Sequence, residues 1–294
     1  MRASSRLALG VFLYFVSTTW LLAEPRLEFS SEIVWREDVE GFGGFSALWV
    51  GKDGSAFIAV SDQGRIAEGK LERENGELVQ VTDTRFDWLR DPRGQPVEDF
   101  LVDAEGIAVD EDGNFYVSFE AQHRIWKYRG LGAKAQAIRS PRDFAGLQNN
   151  SGLEGLAIDG KRRLYTLPER SGRMDRPFPV YRYTRGSWDI PFRIPRRGEY
   201  LPASLDIGPD EKLYLLERDF STMFFSSRIR RFTLDGDELV NEEELLTTLP
   251  GRHQNLEGLS VWRDEKGNLR LTMISDDGFK SFWSTRFVEY RLIE

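Results

Sequence analysis

The sequence predicts an all-β protein, a β-propeller of four-stranded blades. A Glu-Gly pair followed by alternating apolar residues recurs at 103–109, 152–158 and 255–261. Each copy leads through a Gly- and Asp-rich turn into a second apolar strand, and two weaker strands follow. The composition agrees, because 40% hydrophobic and 13% aromatic residues with 27 glycines are typical of a folded β domain.

Two degenerate copies of the repeat, at 45–50 and 203–208, raise the number of units to five. The markers of the five units are Phe45, Glu105, Glu154, Ala203 and Glu257. Their spacings of 60, 49, 49 and 54 residues are the size of a propeller blade. Five blades are therefore expected, and six would result if residues 71–100 contained an extra short blade.

The two ends of the chain are expected to close the ring. The last unit has three strands before the sequence stops, and residues 26–36 form an unassigned strand ahead of the first unit. Pairing these ends completes the fifth blade and leaves no open sheet edge.

The N-terminus has the pattern of a secretory signal. Arg2 and Arg6 precede an apolar run over residues 7–22, and Ala23 offers a small residue for cleavage. Residues 1–23 are therefore predicted to be a signal peptide, and residues 24–294 a single propeller domain in the periplasm or outside the cell. An uncleaved membrane anchor is the alternative, whereas the mature chain contains no stretch long enough to span a bilayer.

Charge and cysteine content exclude several classes of function. Removal of residues 1–23 takes away two arginines and no acid, so the formal charge changes from −8 to −10. A nucleic-acid partner is not expected for such an acidic chain. The absence of cysteine excludes thiol catalysis and Cys-based metal sites. We expect a monomer that binds a small-molecule substrate or ligand.

Carboxylates recur around the first hairpin of the predicted blades. Glu105 and Glu120 are 15 residues apart, and so are Glu154 and Glu169. Because the first strand leaves one rim of the ring and the second returns to it, each pair is expected at the same axial mouth. Further acids end the second strands of the other blades, namely Asp62, Glu217, Asp276 and Asp277.

A ring of carboxylates requires compensation, because two of them about 6 Å apart repel by roughly 3 kcal/mol. Ca²⁺ would compensate them, as would raised pKa values or nearby arginines. The predicted metal ligands are Glu105, Glu154, Glu257, Glu217 and Asp276. A simpler interpretation is that Glu-Gly marks a turn whose glycine lets neighbouring blades approach closely.

Nine short segments carry a resemblance to a known family. They are GGFSALWV with SDQGR, DAEGIAV, LEGLAI with YTLPER, PASLDI with LYLLERDF, and NLEGLSV with ISDDGF. Together they resemble the bacterial phytase-like proteins described as "esterase-like activity of phytase". The resemblance implies an exported propeller and a calcium-dependent hydrolase of phosphoric or carboxylic esters. By match to the family's repeated positions, the residues lining the site would be Glu105, Glu154, Glu257, Glu169 and Glu217.

Under this hypothesis a cation held by the carboxylates polarises an ester oxygen and activates water. The predicted catalytic residues are Glu169, as base, with Glu154 and Glu105. The predicted substrate-binding residues are Arg170, Arg218 and Arg124, which would hold an anionic part of the substrate. Two alternatives stay open, a non-catalytic periplasmic binding or scaffold propeller and a gluconolactonase-like lactonase.

Overall fold

The computed structural model describes residues 24–97, 99–120, 122–148, 152–220 and 223–294, which form five four-stranded antiparallel sheets. Blade 1 contains β2 (Phe45–Val50), β3 (Ala56–Ser61), β4 (Arg65–Glu74) and β5 (Glu77–Trp88). Blade 2 contains β6 (Ala104–Val109), β7 (Phe115–Phe119), β8 (Arg124–Tyr128) and β9 (Gln136–Ile138). Blade 3 contains β10 (Leu153–Ile158), β11 (Leu164–Pro168), β12 (Phe178–Thr184) and β13 (Ser187–Ile194).

Blades 4 and 5 complete the ring. Blade 4 contains β14 (Leu201–Ile207), β15 (Lys212–Asp219), β16 (Ser226–Asp235) and β17 (Glu238–Thr247). Blade 5 contains β18 (Asn255–Arg263), β19 (Leu269–Asp276), β20 (Arg286–Ile293) and the N-terminal strand β1 (Arg26–Val34). The described helical segments are a single turn, α1 (Asp99–Val102), and a 3-10 turn at Arg142–Gly146.

The prediction of a closed five-bladed ring is confirmed. Strand β1 pairs antiparallel with β20, so the N-terminus supplies the outer strand of the last blade. The innermost strands β2, β6, β10, β14 and β18 each contact the next around the ring, and β18 contacts β2. The six-bladed alternative is wrong, because residues 71–88 belong to the long hairpin of β4 and β5.

Apolar side chains hold the ring together at the seams between blades. Each of the five buried clusters combines residues from two neighbouring blades. At the seam that joins blade 5 to blade 1, for example, Trp35 packs against Phe45, Phe57 and Phe287 with ring centroids 4.9 to 5.5 Å apart. Burial of such aromatic surface is the main stabilising contribution available to a chain without disulfides.

A β-bulge interrupts the pairing at the start of every innermost strand. In three blades the residue in the bulge is the glutamate of the Glu-Gly pair, namely Glu105, Glu154 or Glu257. In blade 1 the bulge residue is Ser46, so the assignment of Phe45 as the marker is wrong by one position. A bulge changes the direction of the side chain that it contains, so these glutamates do not follow the alternation of side chains between the two faces of the strand.

The glycine after each of these glutamates allows the next blade to approach. A Cβ on Gly155 would lie 2.5 Å from the Leu205 Cβ and 2.6 Å from the Leu205 backbone nitrogen. At Gly106 and Gly258 the corresponding backbone atoms, Glu154 O and Leu48 N, would lie at 2.9 and 2.7 Å. Close approach of the blades is therefore one reason for the Glu-Gly pair, as the simpler interpretation states.

The predicted signal peptide, residues 1–23, lies outside the described residues. Within the described ranges, the helices are too short and too polar to cross a bilayer.

Candidate functional site

Equivalent residues of the five blades converge at one end of the central channel. The strand pairing gives five residues equivalent positions within one residue of the end of each second strand, and these are Asp62, Glu120, Glu169, Arg218 and Asp276. The bulge glutamates lie at the same end, because the innermost strand starts where the second strand finishes. We define the acidic mouth as Asp62, Asp103, Glu105, Glu120, Glu154, Glu169, Glu257 and Asp276.

Glu217 does not belong to the acidic mouth, although its LLER segment resembles the LPER segment that contains Glu169. Pairing of Pro202 with Glu217, as of Leu153 with Pro168, makes Arg218 the equivalent of Glu169. A shift of one residue turns a side chain to the other face of a strand.

The carboxylate of Glu217 is fully buried within blade 4. It accepts hydrogen bonds from Arg228 Nε at 2.8 Å and from Arg230 Nη2 at 2.7 Å. Both of its oxygens are therefore engaged by guanidinium groups, and we leave Glu217 out of the site.

Arg218 brings positive charge into the acidic mouth. Its guanidinium forms an ion pair with Glu257, approaches Glu169 at 3.5 Å and donates to the Asn255 side chain at 3.2 Å. The positive charge of Arg218 also opposes the effect of burial on Glu154, whose pKa is nevertheless raised overall. One arginine thus compensates several carboxylates in the half of the mouth formed by blades 3, 4 and 5.

Backbone N–H groups at the entry to the next blade bind other acids. Gly152 N donates to Glu120 Oε1 at 2.6 Å, and Gly44 N donates to Asp277 Oδ1 at 3.0 Å. These contacts connect blade 2 to blade 3 and blade 5 to blade 1. His123 also lies at the first of these seams, because a Cβ on Gly152 would be 2.4 Å from its ring and 3.0 Å from Glu120 Cγ.

The half of the mouth at blades 1 and 2 has the composition of a cation site. Oxygen atoms of Asp103, Glu105 and Glu120 all lie within 4.8 Å of one another. Asp62 lies nearby, its Oδ1 is buried without a hydrogen-bond partner, and its pKa responds to the charge of Asp103. A hard cation prefers such carboxylate oxygens, so this donor set fits Ca²⁺.

Burial and mutual repulsion shift the acids of the mouth toward neutrality. Burial, reinforced by Asp276 and Asp103, raises the pKa of Asp62 to about 7. Burial, reinforced by Asp103 and Glu169, also raises the pKa of Glu120 to about 7. The pKa values of Glu105 and Glu154 are raised well above the ordinary value, first by burial and then by neighbouring carboxylates.

The three predicted substrate-binding arginines have different environments. Arg218 is committed to the acids of the mouth, as described above. Arg124 stacks on Phe119 and Trp126 at 4.0 and 4.4 Å and donates to the Leu101 carbonyl. Arg170 pairs with Glu169 at 3.2 Å, and 52% of its side chain is exposed. Of the three, Arg170 is the most accessible to a bound molecule.

Sequence reasoning missed two polar members of the site, Asp103 and Asn255. Each stands two residues before a bulge glutamate, in DAEG and in NLEG. Asn255 donates to Glu257 at 2.7 Å and to Asp276 at 3.2 Å, so it connects two acids of blade 5. The recurrence of a polar residue at this position was the signal available in the sequence.

A cavity of about 480 Å³ lies at the opposite end of the channel. It is lined by the C-terminal ends of the innermost strands, including Trp49 and Asp206. The carboxylate of Asp206 accepts hydrogen bonds from Ile207 N at 2.8 Å and Val261 N at 2.7 Å, which connects blade 4 to blade 5. Asp206 therefore has a structural role, and the acidic mouth, where the acids of four blades converge, is the candidate site.

Comparisons with known proteins identify a family. The phytase-like family model, described as esterase-like activity of phytase, matches residues 40–279, which is more than half of the chain. A search of curated protein sequences gives no match.

Several solved structures are similar to this chain at low sequence identity. The PQQ-bound aldose sugar dehydrogenase of Streptomyces coelicolor is 14% identical, with 89% of this chain and 98% of that chain covered and a TM-score of 0.49. A streptogramin B lyase structure is 16% identical, with 90% of this chain and 72% of that chain covered and a TM-score of 0.44. Likeness at this level carries no information about activity.

Proposed function

The chain belongs to the phytase-like family described as esterase-like activity of phytase, and on that premise we propose that it is a metal-dependent ester hydrolase. The observation that carries the proposal is the convergence of carboxylates from four blades on one channel mouth. Such acids with pKa values near 7 are suited to proton transfer at neutral pH.

Asp103, Glu105 and Glu120 would hold the metal ion, with Asp62 beside them, and Ca²⁺ is the ion that their oxygens suit best. When bound, such an ion polarises an ester oxygen and lowers the pKa of a water ligand. The raised pKa values of Glu105 and Glu120 mean that these residues release protons as the ion binds.

The remaining acids would move the protons of the reaction. Glu169 lies between Arg170 and Arg218 and is the proposed base that accepts a proton from the attacking water. Glu154 is buried with a raised pKa and holds a proton, which it gives to the leaving oxygen as the ester bond breaks. Water thus supplies a hydroxyl to the acyl or phosphoryl centre. Glu169 then releases the proton of the water and Glu154 takes one up, so that the net transfer is one proton from water to the leaving alcohol.

The test is a screen of aryl esters, lactones and aryl phosphates with calcium or with a chelator. Ester turnover is expected with calcium, and it should fall at least a hundredfold in Glu154→Gln, within the range for loss of a general acid. Asp112→Asn is the matched control, because this carboxylate pairs with Arg162 on the surface and is 57% exposed.

The outcomes separate the two main functional alternatives. Absence of turnover in every class, or equal turnover in Glu154→Gln, would overturn the proposal. An increase in melting temperature with calcium, in the absence of turnover, would instead support a structural ion in a binding or scaffold propeller.

We further propose that the mature protein acts in the periplasm or outside the cell. The support is the basic and apolar character of residues 1–23 in the sequence. N-terminal sequencing of the protein from a periplasmic extract should begin near Glu24. A chain that retains Met1 in the cytoplasmic fraction would contradict the proposal.

A further inference from the structure

Exposed apolar side chains concentrate around the acidic mouth. Ten large apolar side chains are exposed in the described part of the chain, and seven of them lie in loops at this end of the ring. The seven are Met174, Phe220, Met223, Phe224, Leu249, Phe279 and Phe282. Apolar residues that cluster in this way beside a polar site indicate a binding surface.

Aromatic residues concentrate in the loops of blades 4 and 5, and Phe220, Phe225, Trp283 and Phe282 form a chain of ring contacts. We define the aromatic rim as Phe220, Phe224, Phe225, Phe282 and Trp283. The ring centroids of Phe220 and Phe225 are 4.6 Å apart, and those of Phe225 and Trp283 are 5.6 Å apart. Because Phe225 precedes β16 and Trp283 precedes β20, their contact joins the loops of the two blades.

The aromatic rim adjoins the acidic mouth. Phe220 follows Arg218 by two residues, and Ser284 N, next to Trp283, donates to Gln254 Oε1 at 3.0 Å beside Asn255. On the other side of blade 5, Phe279 lies over Gly44. A Cβ on that glycine would be 2.4 Å from the Phe279 ring and 2.6 Å from Asp62 Oδ1. A molecule at the mouth could therefore contact aromatic side chains and carboxylates together.

The charges of the site disfavour an anionic substrate. Eight carboxylates define the mouth. Of the three predicted arginines, Arg218 is engaged by Glu169 and Glu257, Arg124 lies between aromatic rings, and Arg170 pairs with Glu169. With Ca²⁺ bound, the carboxylates of Asp62, Asp103, Glu105 and Glu120 would together still outweigh the charge of the ion, so an anion would meet net negative charge there. A neutral molecule with an apolar portion avoids this repulsion and gains from burial against the rim.

We propose, resting on the ester hydrolase function above, that the aromatic rim binds the apolar aryl or acyl group of a neutral carboxylic ester. The ester carbonyl would then lie over the carboxylates, and water would replace the alcohol on the acyl carbon. This assigns the substrate class as an apolar carboxylic ester in place of a phosphate ester.

The experiment separates binding at the rim from turnover. Binding of benzylacetone, the neutral ketone isostere of benzyl acetate, is measured by titration calorimetry. Hydrolysis of benzyl acetate, ethyl acetate and benzyl phosphate is measured with calcium. The protein is compared with the double variant Phe220→Ser/Phe282→Ser, whose wild-type side chains are 53% and 73% exposed. Val79→Ser on the outer strand β5, also exposed at 42%, is the matched control.

We expect benzylacetone to bind and the double variant to weaken this binding about tenfold, the size of effect that small apolar groups have on specificity. The ratio of kcat/KM for benzyl acetate to that for ethyl acetate should fall by a similar factor, with benzyl phosphate the poorest substrate. Val79→Ser should behave as the unmodified protein. Circular dichroism of the double variant verifies that it is folded.

Each other outcome has a separate meaning. Benzylacetone that fails to bind, or that binds the folded double variant equally well, overturns the inference whether or not esters are hydrolysed. Binding of the ketone at the rim without turnover of any ester overturns the proposed function, while the apolar binding site is retained. Self-association that the double variant abolishes would show that the rim is a contact between copies of the chain, and would also overturn the inference.

Discussion

Glu169 and Arg218 occupy the same position at the ends of the second strands of blades 3 and 4, and their side chains approach to 3.5 Å. The corresponding residues of the other blades are Asp62, Glu120 and Asp276. Four acids and one arginine thus stand at five equivalent positions. The arginine of blade 4 reduces the repulsion between the carboxylates that the other four blades place close together.

Replacement of Arg218 by glutamine should destabilise the protein by about 2 to 4 kcal/mol at pH 8, because buried carboxylates lose their partner. The loss should be smaller at pH 5, because Arg218 lowers the raised pKa values of Glu105, Glu154 and Asp276, and its removal matters less as these carboxyl groups take up protons. Urea unfolding at both pH values measures the two differences.

Arg170→Gln is the control for this variant, because Arg170 contacts the same Glu169 from a half-exposed position. An exposed pair contributes about 0 to 1 kcal/mol, so Arg170→Gln should change stability little at either pH. Equal effects of the two substitutions would contradict the central role given to Arg218.

Without calcium, the free energy of unfolding should decrease as the pH rises from about 4 to about 7. Asp62 and Glu120 titrate near 7 in the folded protein and near 4 when unfolded, so the folded state binds more protons in this window. The stability they contribute is complete below about pH 4 and is lost as pH passes 7. Glu32, whose pKa is lowered from 4.5 to about 2, changes the stability only below this pH window.

The double variant Asp62→Asn/Glu120→Gln should reduce this decrease by about 4 to 8 kcal/mol, since the pKa of each acid is raised by more than two units and one unit corresponds to about 1.4 kcal/mol. Calcium should flatten it as well in the unmodified protein, because the bound ion favours the ionised carboxylates. Guanidinium unfolding at several pH values provides the measurement. Equal slopes in the variant and the parent would show that these acids are not the cause.

The positions of Glu105, Glu154 and Glu257 could be predicted from the sequence, because a physical constraint accompanies each of them. The following glycine is required where the next blade approaches, and the bulge always lies at the start of the innermost strand. The closure of the ring by β1 was predictable for a similar reason, since an unpaired strand at each end of the chain leaves an open edge.

The assignment of Glu217 could not be settled in the same way. LYTLPER and LYLLERD share their apolar alternation and an acid near the end, and they differ by one residue in the position of that acid. Only the pairing of β14 with β15 shows that Arg218 faces the mouth. The aromatic rim gave no periodic signal at all, because its residues lie in loops.

Gly155→Ala should destabilise the protein by about 2 to 3 kcal/mol or more, because the added Cβ would meet the backbone of Leu205 at 2.6 Å in a seam between blades. Gly146→Ala is the matched control, since no atom lies within 4 Å of its Cβ position. Thermal unfolding of the two variants should show a large decrease in melting temperature for the first only. An unchanged melting temperature in Gly155→Ala would mean that the two blades can move apart at this seam without loss of stability.

Glu217→Gln tests whether this acid is separate from the acidic mouth. Because its carboxylate is buried between Arg228 and Arg230, the variant should lose about 3 to 5 kcal/mol of stability, since two buried guanidinium groups lose the negative charge that they share. The increase in melting temperature caused by calcium should nevertheless be retained, since the proposed ion ligands lie in blade 2.

Glu120→Gln should show the reverse pattern, with a smaller loss of stability and a much weaker response to calcium. Differential scanning fluorimetry with and without calcium distinguishes them, and a Glu217→Gln protein that remains folded but no longer responds to calcium would return Glu217 to the ion site.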